Sequence, residues 1–325
     1  MSVAYIPLFT LLALALIAIV FIVAWMMSGM LICPPRMTDG KAVLILKRLS
    51  PTDIGLKFES KSFDVRDAGG NMLKIASWWI PHEGSRATVM LIHGFADAKV
   101  GALAWAPMLH GIGLNILAID LRAHGESDGK FCTGGVRERE DVSQVIDRLR
   151  IDHPNETEKL VLFGISLGGA VAIGVGSQRD DVDAIVCDSL FTSFDRAARV
   201  HAELIAAPAR FAHFIAIKIA ASRSGVNFSA VKPIDLIATV RCPILLMFGE
   251  GDAFVPPIDR NALSQLLMAR NNPIDRTWTA DGAGHVLALA AEPNEYEQEV
   301  REFLQRAGIG LPNPITPIPM PSAIS

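Results

Sequence analysis

The 325-residue sequence has few cysteines, little net charge and no basic run. Its four cysteines, Cys33, Cys132, Cys187 and Cys242, show neither metal-ligand spacing nor a secreted disulfide framework, so a reducing compartment is favoured. The formal net charge of −4 argues against nucleic acid as a partner. Nothing in the sequence calls for a metal ion or an organic cofactor. Half of the residues are hydrophobic, which is enough for one large domain with a substantial core.

Charged side chains are also absent from residues 3–33. This run exceeds the roughly 20 residues that a helix needs to cross a bilayer. Tyr5 and Trp25 bracket it at a helical separation of about 30 Å, which matches the hydrocarbon thickness and the usual interfacial aromatic belts. A cleaved signal peptide would have a positive n-region and a shorter apolar core, and neither is present. We therefore predict that residues 1–35 form an uncleaved, single-pass membrane anchor.

Basic residues follow this run and are missing before it. Arg36, Lys41, Lys47 and Arg48 come directly after the anchor, whereas its N-terminal side carries only the α-amino group. Positive charge flanking a span favours the cytoplasmic side. The remainder of the chain is therefore predicted to face the cytoplasm.

The segment Gly164-Ile165-Ser166-Leu167-Gly168 has the Gly-x-Ser-x-Gly form, follows an apolar β-type run and precedes a small-residue helix pattern. This sequence is typical of a nucleophile elbow, a sharp strand-to-helix turn that lifts a serine above a sheet. Gly164 and Gly168 lack a Cβ and so permit close approach to neighbouring strands. The N–H groups and positive dipole end of the following helix would favour an oxyanion. Ser166 is therefore the predicted nucleophile.

A second Gly-x-Ser-x-Gly match is centred on Ser127. It follows a strand-like run only after the polar segment Arg122-Ala123-His124, and no small apolar helix comes after it. We interpret Ser127 as a loop residue.

A base and a carboxylate are expected downstream of Ser166, in the order serine, acid, histidine. Asp252 follows the buried-strand run 243–248, and His285 lies in a glycine loop after the strand-like run 276–279. Both fall just past the C-terminal end of a predicted strand, where open α/β sheets place their sites. Glu250 and Asp188 are the alternative candidates for the acid.

The oxyanion hole of such a site needs two backbone N–H groups. A predicted strand at 88–92 runs into the turn His93-Gly94-Phe95. We assign the donors as the N–H groups of Phe95 and Leu167. His93 is interpreted as a structural hydrogen-bonding residue of that turn rather than a base.

Strand and helix patterns alternate through most of the chain. Tyr296, Val300, Phe303 and Ala307 repeat as one apolar face, as expected of a helix on a sheet. We predict an α/β fold, a mostly parallel twisted sheet covered by helices on both faces. The first two strands form an antiparallel hairpin. The eight predicted strands are 58–65, 72–80, 88–92, 115–121, 159–163, 184–187, 243–248 and 276–279.

Five blocks of the sequence resemble the successive motifs of the α/β-hydrolase superfamily. The nearest branch is the membrane-anchored hydrolases similar to monoacylglycerol lipases and serine aminopeptidases. The resemblance implies an α/β-hydrolase fold with a Ser166–Asp252–His285 triad, and it leaves the substrate open because the fold carries many activities. The blocks are His93-Gly94-Phe95, the segment 120–127, the segment 164–169, the segment 249–252 and Gly284-His285.

The resemblance also places a short helical cap at about 190–240 within a hydrolase domain spanning 51–308. Two helices, 194–207 and 209–221, are predicted there without an intervening strand. Their apolar residues could be core packing or could line an acyl-chain pocket; they are Leu204, Ile205, Phe211, Phe214, Ile215 and Ile217. The proline-rich segment 309–325 is predicted to be a disordered tail.

These observations predict a serine hydrolase that cleaves carboxylic esters or thioesters with an apolar acyl group through an acyl-enzyme. Its substrate would be a small or lipid-like acyl compound, and its other contact the membrane. Two alternatives remain open: a serine aminopeptidase-like peptidase, and a non-catalytic binding protein that keeps the fold.

Overall fold

The computed structural model describes residues 8–310 except residue 206, and it describes no side chains from 204 to 211. Most of the predicted proline-rich tail, residues 311–325, therefore lies outside the described part. The predicted limits of the anchor, the hydrolase domain and the tail stay predictions.

Eight strands form one sheet in the order β1-β2-β4-β3-β5-β6-β7-β8. The β1/β2 and β2/β4 pairs are antiparallel, and all other pairs are parallel. The predicted fold class is confirmed, and each strand ends within two residues of its predicted limits. The strands are β1 (Glu59–Arg66), β2 (Met72–Ile80), β3 (Ala87–Ile92), β4 (Asn115–Ile119), β5 (Lys159–Ile165), β6 (Ala184–Asp188), β7 (Ile244–Gly249) and β8 (Arg276–Ala280).

Twelve α-helices lie within the described residues, together with three short 3-10 helices, Pro51–Ile54, Phe228–Ala230 and Ile237–Thr239. The α-helices are α1 (Leu8–Ile32), α2 (Asp39–Leu46), α3 (Lys99–Ala102), α4 (Ala106–Gly111), α5 (Glu138–Asp152), α6 (Leu167–Gly176), α7 (Phe194–Ile205), α8 (Ala207–Ser224), α9 (Pro233–Leu236), α10 (Pro257–Ala269), α11 (Ala288–Ala291) and α12 (Pro293–Arg306).

Helices cover both faces of the sheet. On one face, the buried side chains of α5 and α6 pack with those of the strands, and Val142 and Ile146 supply the apolar stripe of α5. On the other face, α12 contributes Tyr296, Val300 and Phe303, which are fully buried. The central strands β3 to β7 are buried throughout except for Lys159 at the start of β5, as expected of parallel strands covered on both sides.

The N-terminal helix α1 is long and apolar enough to cross a membrane by length and composition, a test that an N-terminal signal sequence also passes. Its last turn joins the core. The side chain of Ile32 is fully buried among the side chains beside α5 and α6. The N–H of Cys132 donates to the carbonyl of Ile32 at 2.8 Å. The C-terminal end of α1 is therefore packed into the globular part of the chain.

The predicted cap contains α7 and α8, with no strand between them. Of its six apolar candidates, Leu204, Ile205 and Phe211 have side chains outside the described part. Ile217 packs against the core. The side chains of Phe214 and Ile215 are exposed, so they neither pack in the core nor line a pocket.

Candidate active site

Ser166 occupies a strained turn between β5 and α6. Its φ of 52° and ψ of −107° are unusual for a side-chain-bearing residue and form the predicted elbow. A Cβ on Gly164 would collide with the backbone of Gly168, and a Cβ on Gly168 would collide with the carbonyl of Ile92. Glycine at both positions therefore lets α6 approach the sheet closely enough to form this turn.

Three predicted side chains meet above the C-terminal edge of the sheet. Nε2 of His285 lies 3.0 Å from Oγ of Ser166, and Nδ1 of His285 lies 2.7 Å from Oδ2 of Asp252. The Asp252 side chain is fully buried, whereas that of His285 is 23% exposed. The histidine can therefore exchange protons with a substrate, while its carboxylate partner is shielded from water.

Backbone donors hold Asp252 in this position. Its Oδ1 accepts hydrogen bonds from the N–H groups of Phe254 at 2.8 Å and Val255 at 3.0 Å. Both oxygens of the carboxylate are thereby satisfied, which is what a buried charge requires. The alternative acid Glu250 is exposed, and its carboxylate accepts from the N–H of Gly282 instead of contacting His285.

The other alternative acid, Asp188, lies behind the elbow. Its carboxylate accepts hydrogen bonds from the hydroxyls of Ser189 at 2.9 Å and Tyr296 at 2.8 Å. The Ser189 hydroxyl also accepts from the N–H of Val286, the residue after the histidine. Burial raises the pKa of Asp188. The sequence did not predict these roles of Ser189 and Tyr296. Ser189 connects Asp188 to the loop that carries His285, and Tyr296 connects Asp188 to α12.

The oxyanion turn lies directly against the elbow. A Cβ on Gly94 would be 3.6 Å from the Cβ of Ser166, so the two turns are in contact. Within the described residues, the N–H groups of Phe95 and Leu167 donate to no protein acceptor, and Leu167 opens α6, where N–H groups lack helical partners. The turn that contains Phe95 thus contacts Ser166, and Leu167 directly follows the serine.

His93 behaves as a structural residue of this turn. Its Nδ1 lies 2.7 Å from the carbonyl of Gly94, and its Nε2 accepts from the N–H of Leu121 at 3.0 Å. Complete burial lowers the pKa of His93 to about 3, so the ring stays neutral. Both nitrogens are committed to the backbone, which leaves no role for His93 as a base.

Ser127, the second Gly-x-Ser-x-Gly serine, is buried, and its hydroxyl bonds to the backbone. Its hydroxyl donates to the carbonyl of Asp120 at 2.7 Å and accepts from the N–H of Ala76 at 2.8 Å. These bonds tie the loop after β4 to β2, as expected of a structural loop residue.

Comparison with known proteins agrees with this fold. A family model described as serine aminopeptidase S33 matches residues 83–222, which include the oxyanion turn and Ser166. The Pyrococcus furiosus esterase Pf2001 superposes with a TM-score of 0.67 at 26% identity, over 84% of this chain and 98% of that chain. The chain is an α/β-hydrolase.

Two further proteins are similar in sequence to this α/β-hydrolase. YqkD of Bacillus subtilis is 26% identical over 308 residues, which cover 89% of this chain and 94% of that protein. The α/β-hydrolase domain-containing protein WAV2 of Arabidopsis thaliana is 26% identical over 231 residues, 65% of this chain and 72% of its own length. The similarity to YqkD spans nearly both chains, so the architecture extends well beyond the region of the family model.

The Asp-x-Arg-x-His block of the hydrolase, residues 120–124, supports the oxyanion turn. Asp120 accepts from the backbone N–H and the ammonium of Lys99 at 2.7 and 2.6 Å. Arg122 forms a bidentate ion pair with Asp141, with both side chains buried. The ring of His124 contacts that of Phe95 edge to face at 5.9 Å. These contacts hold the turn and the loop after β4 in place.

Arg36, just past α1, contacts the same loop of the hydrolase. Its guanidinium donates to the carbonyls of Gly125 at 2.8 Å, Ser127 at 2.6 Å and Gly129 at 3.1 Å. The sequence placed Arg36 among the charges that flank the anchor. In the structure its side chain also stabilises the loop next to the active site.

The aromatic side chain of Phe254 links the cap of the hydrolase to His285. The ring of Phe254 stacks on His201 of α7, with centroids 5.5 Å apart. The Phe254 ring also lies 5.1 Å from that of His285. The cap helix α7 therefore reaches the catalytic edge of the sheet.

Asp97, which follows the oxyanion turn, has its pKa raised to about 6 because burial disfavours the charged form. The contribution of such a carboxyl to the stability of the fold is fully present when the pH is below its ordinary pKa of 3.8. This contribution is lost as the pH rises through about 6. We expect Asp97→Asn to stabilise the protein by about 2 kcal/mol more at pH 8 than at pH 4, after allowance for partial exposure. Thermal unfolding of wild type and variant at both pH values measures this difference.

Asp64→Asn is the control, because Asp64 is an exposed residue of β1. The difference between its effects at the two pH values should be smaller than that of Asp97→Asn. An Asp97→Asn effect that is the same at pH 4 and pH 8 would contradict the assignment.

Proposed function

We propose that this hydrolase is a serine esterase that cleaves carboxylic esters or thioesters with an apolar acyl group. The observation that carries the proposal is the hydrogen-bonded chain from Ser166 Oγ through His285 to Asp252, at 3.0 and 2.7 Å. This is the geometry in which a histidine activates a serine and a carboxylate orients the histidine.

The proposed reaction forms and then breaks an acyl-enzyme. His285 Nε2 takes the proton of Ser166 as Oγ attacks the carbonyl carbon, and Asp252 stabilises the imidazolium. The N–H groups of Phe95 and Leu167 receive the oxyanion, and His285 returns the proton to the leaving alcohol or thiol. Water, deprotonated by His285, then releases the acid and restores the serine.

We further propose that α1 is retained as a membrane anchor and that the hydrolase part faces the cytoplasm. Lys41, Lys47 and Arg48 follow α1, which favours the cytoplasmic side. Cleavage after α1 would remove Ile32 from the core, which costs about 2–5 kcal/mol for a large buried aliphatic side chain. These contacts support a helix that stays attached.

A substrate panel tests the ester assignment. The purified full chain is given p-nitrophenyl esters of increasing chain length and, in parallel, aminoacyl-p-nitroanilides. We expect kcat/KM to be at least about 100-fold higher for the best ester than for the best anilide, a transition-state difference of about 2.7 kcal/mol. The ester preference should grow with acyl length.

The same panel distinguishes the two alternatives. Faster anilide than ester cleavage would assign the protein to the peptidases, an activity that the name of the matching family model favours. A chain that cleaves neither set, in a preparation that folds normally, would instead be a binding protein. Either result would overturn the esterase proposal.

A further inference from the structure

Apolar side chains stay exposed on two helices near α1. On α8 they are Phe214 and Ile215, with Phe214 63% exposed. On α2 they are the consecutive residues Val43, Leu44 and Ile45, with Leu44 72% exposed. Single exposed apolar residues are common, but clusters beside a helix of membrane-spanning length indicate a surface that is covered. We call these two clusters the α8 patch and the α2 patch.

The α8 patch follows α1 toward its N-terminal end. Near the end of α8, the guanidinium of Arg223 donates to Ser28 Oγ at 2.7 Å. Ala212 and Ala216, earlier in α8, pack in one cluster with Ala24. Ala212 precedes Arg223 by about 16 Å of helix, so α8 runs back along α1. A bilayer that surrounds the apolar length of α1 would therefore also surround the half of α8 that carries the α8 patch.

Cations and a tryptophan mark the level at which the bilayer surface would lie. The ammonium of Lys218 sits 4.2 Å from the ring centre of Phe214. The guanidinium of Arg223 sits 4.7 Å from that of Trp25. Basic side chains that extend to the headgroups and tryptophan at the interface are the usual features of this depth.

The α2 patch has the same combination of apolar and basic residues. Lys41 and Lys47 flank its three apolar side chains, and Arg48 follows. Basic residues next to apolar ones on a short helix bind anionic headgroups while the apolar side chains enter the leaflet. The opposite side of α2 is anchored, because Ala42 is buried in one cluster with Ala98 and Val100.

Both patches belong to elements next to the active site. The cluster that buries Ala42 includes Ala98, three residues after the oxyanion donor Phe95. On the other side, α8 packs against α7, whose His201 stacks on Phe254 beside His285. The two patches thus bracket the C-terminal edge of the sheet, where Ser166 lies.

We propose that the α2 and α8 patches are seated in an anionic phospholipid leaflet around α1, so that the active-site edge faces the membrane. The substrate is then an acyl ester that resides in the leaflet and enters the site without crossing water. This inference rests on the proposed esterase function for the identity of the reaction, and the seating of the patches can be measured without it.

Spin-label accessibility tests the seating directly. Phe214→Cys and Ile151→Cys are prepared in a Cys33→Ser background of the full chain, labelled, and reconstituted in vesicles of phosphatidylcholine and phosphatidylglycerol. Ile151 is 70% exposed on α5, at the end that precedes β5 and so at the opposite edge of the sheet. We expect the label at 214 to collide with oxygen and to be protected from a water-soluble nickel chelate, and the label at 151 to behave oppositely. Nickel access to position 214 equal to that at 151 would overturn the proposal.

Turnover tests the consequence for the substrate. The pairs Phe214→Ser with Ile215→Ser and Leu44→Ser with Ile45→Ser are compared with Ile151→Ser with Met268→Ser, a matched control on exposed residues at the opposite edge. Substrates are p-nitrophenyl butyrate in solution and p-nitrophenyl palmitate in the same vesicles. We expect each patch pair to lose at least about tenfold on palmitate, equivalent to about 1.4 kcal/mol, with butyrate turnover and the control pair unchanged.

The outcomes separate the two proposals. Wild-type protein that cleaves neither ester contradicts the esterase function, whatever the labels report. Wild-type protein that cleaves both, with palmitate turnover unchanged in the patch pairs, contradicts the membrane-facing site alone. An equal loss on butyrate and palmitate would also contradict it, because the substitutions would then act on the catalytic centre.

Discussion

Ser166→Ala should abolish labelling by a fluorophosphonate probe and lower ester turnover by about 10⁴-fold or more. Removal of Oγ eliminates the only hydroxyl within hydrogen-bond distance of His285 Nε2 among the described residues. The oxyanion donors remain, so a small residual rate above the uncatalysed reaction is expected. Gel fluorescence after probe treatment and initial rates on a p-nitrophenyl ester measure the two effects.

Ser127→Ala is the matched control, because it removes the same atom from the other Gly-x-Ser-x-Gly segment. It breaks two buried hydrogen bonds, to Asp120 and Ala76, and should cost about 1–3 kcal/mol of stability. Labelling of the folded protein should persist. Labelled Ser166→Ala protein, or loss of labelling in folded Ser127→Ala protein, would refute the assignment of the nucleophile.

Asp252→Asn should lower kcat by about 10⁴-fold with little change in KM. The asparagine keeps an oxygen for the N–H groups of Phe254 and Val255, so the loop geometry is preserved. Its amide can no longer accept the Nδ1 proton of His285, and the histidine loses both its tautomer preference and the charge that stabilises its protonated form. Steady-state kinetics of the variant on the best ester measures the loss.

Glu250→Gln serves as the control for the acid. Glu250 lies two residues away on the same turn but is exposed and contacts Gly282 rather than the histidine. Its substitution should leave kcat within about twofold, since surface substitutions rarely exceed about 0.5 kcal/mol. A larger loss in Glu250→Gln than in Asp252→Asn would exchange the roles of the two carboxylates.

Local patterns predicted the sheet and the order of the candidate site. Apolar runs of strand length predicted all eight strands, and Ser166, Asp252 and His285 were each found by their place after a strand. The parallel topology then brings these strand ends to one edge, which is why the side chains meet. The two Gly-x-Ser-x-Gly serines were separated by the same context.

Contacts between residues far apart in the sequence could not be predicted, because they leave no pattern in the local sequence. Tyr296 donates to Asp188 across 108 residues and accepts from Trp105 across 191, and neither pair has a spacing that periodicity detects. The environment of Phe214 depends on where α8 packs against α1, so its composition alone favoured a core or a pocket. Arg36 was assigned to membrane topology because its acceptors, backbone carbonyls of the loop 124–129, are invisible in a sequence.

The contacts of the last turn of α1 determine whether another apolar helix could replace it. Ile32 is a core side chain, its carbonyl pairs with Cys132, and Arg36 bonds to the loop beside the oxyanion turn. A helix on a flexible tether could be swapped for any apolar segment of equal length. Here the join is residue-specific, so under the proposed anchoring α1 would set the orientation of the edge that carries Ser166 as well as its distance from the bilayer.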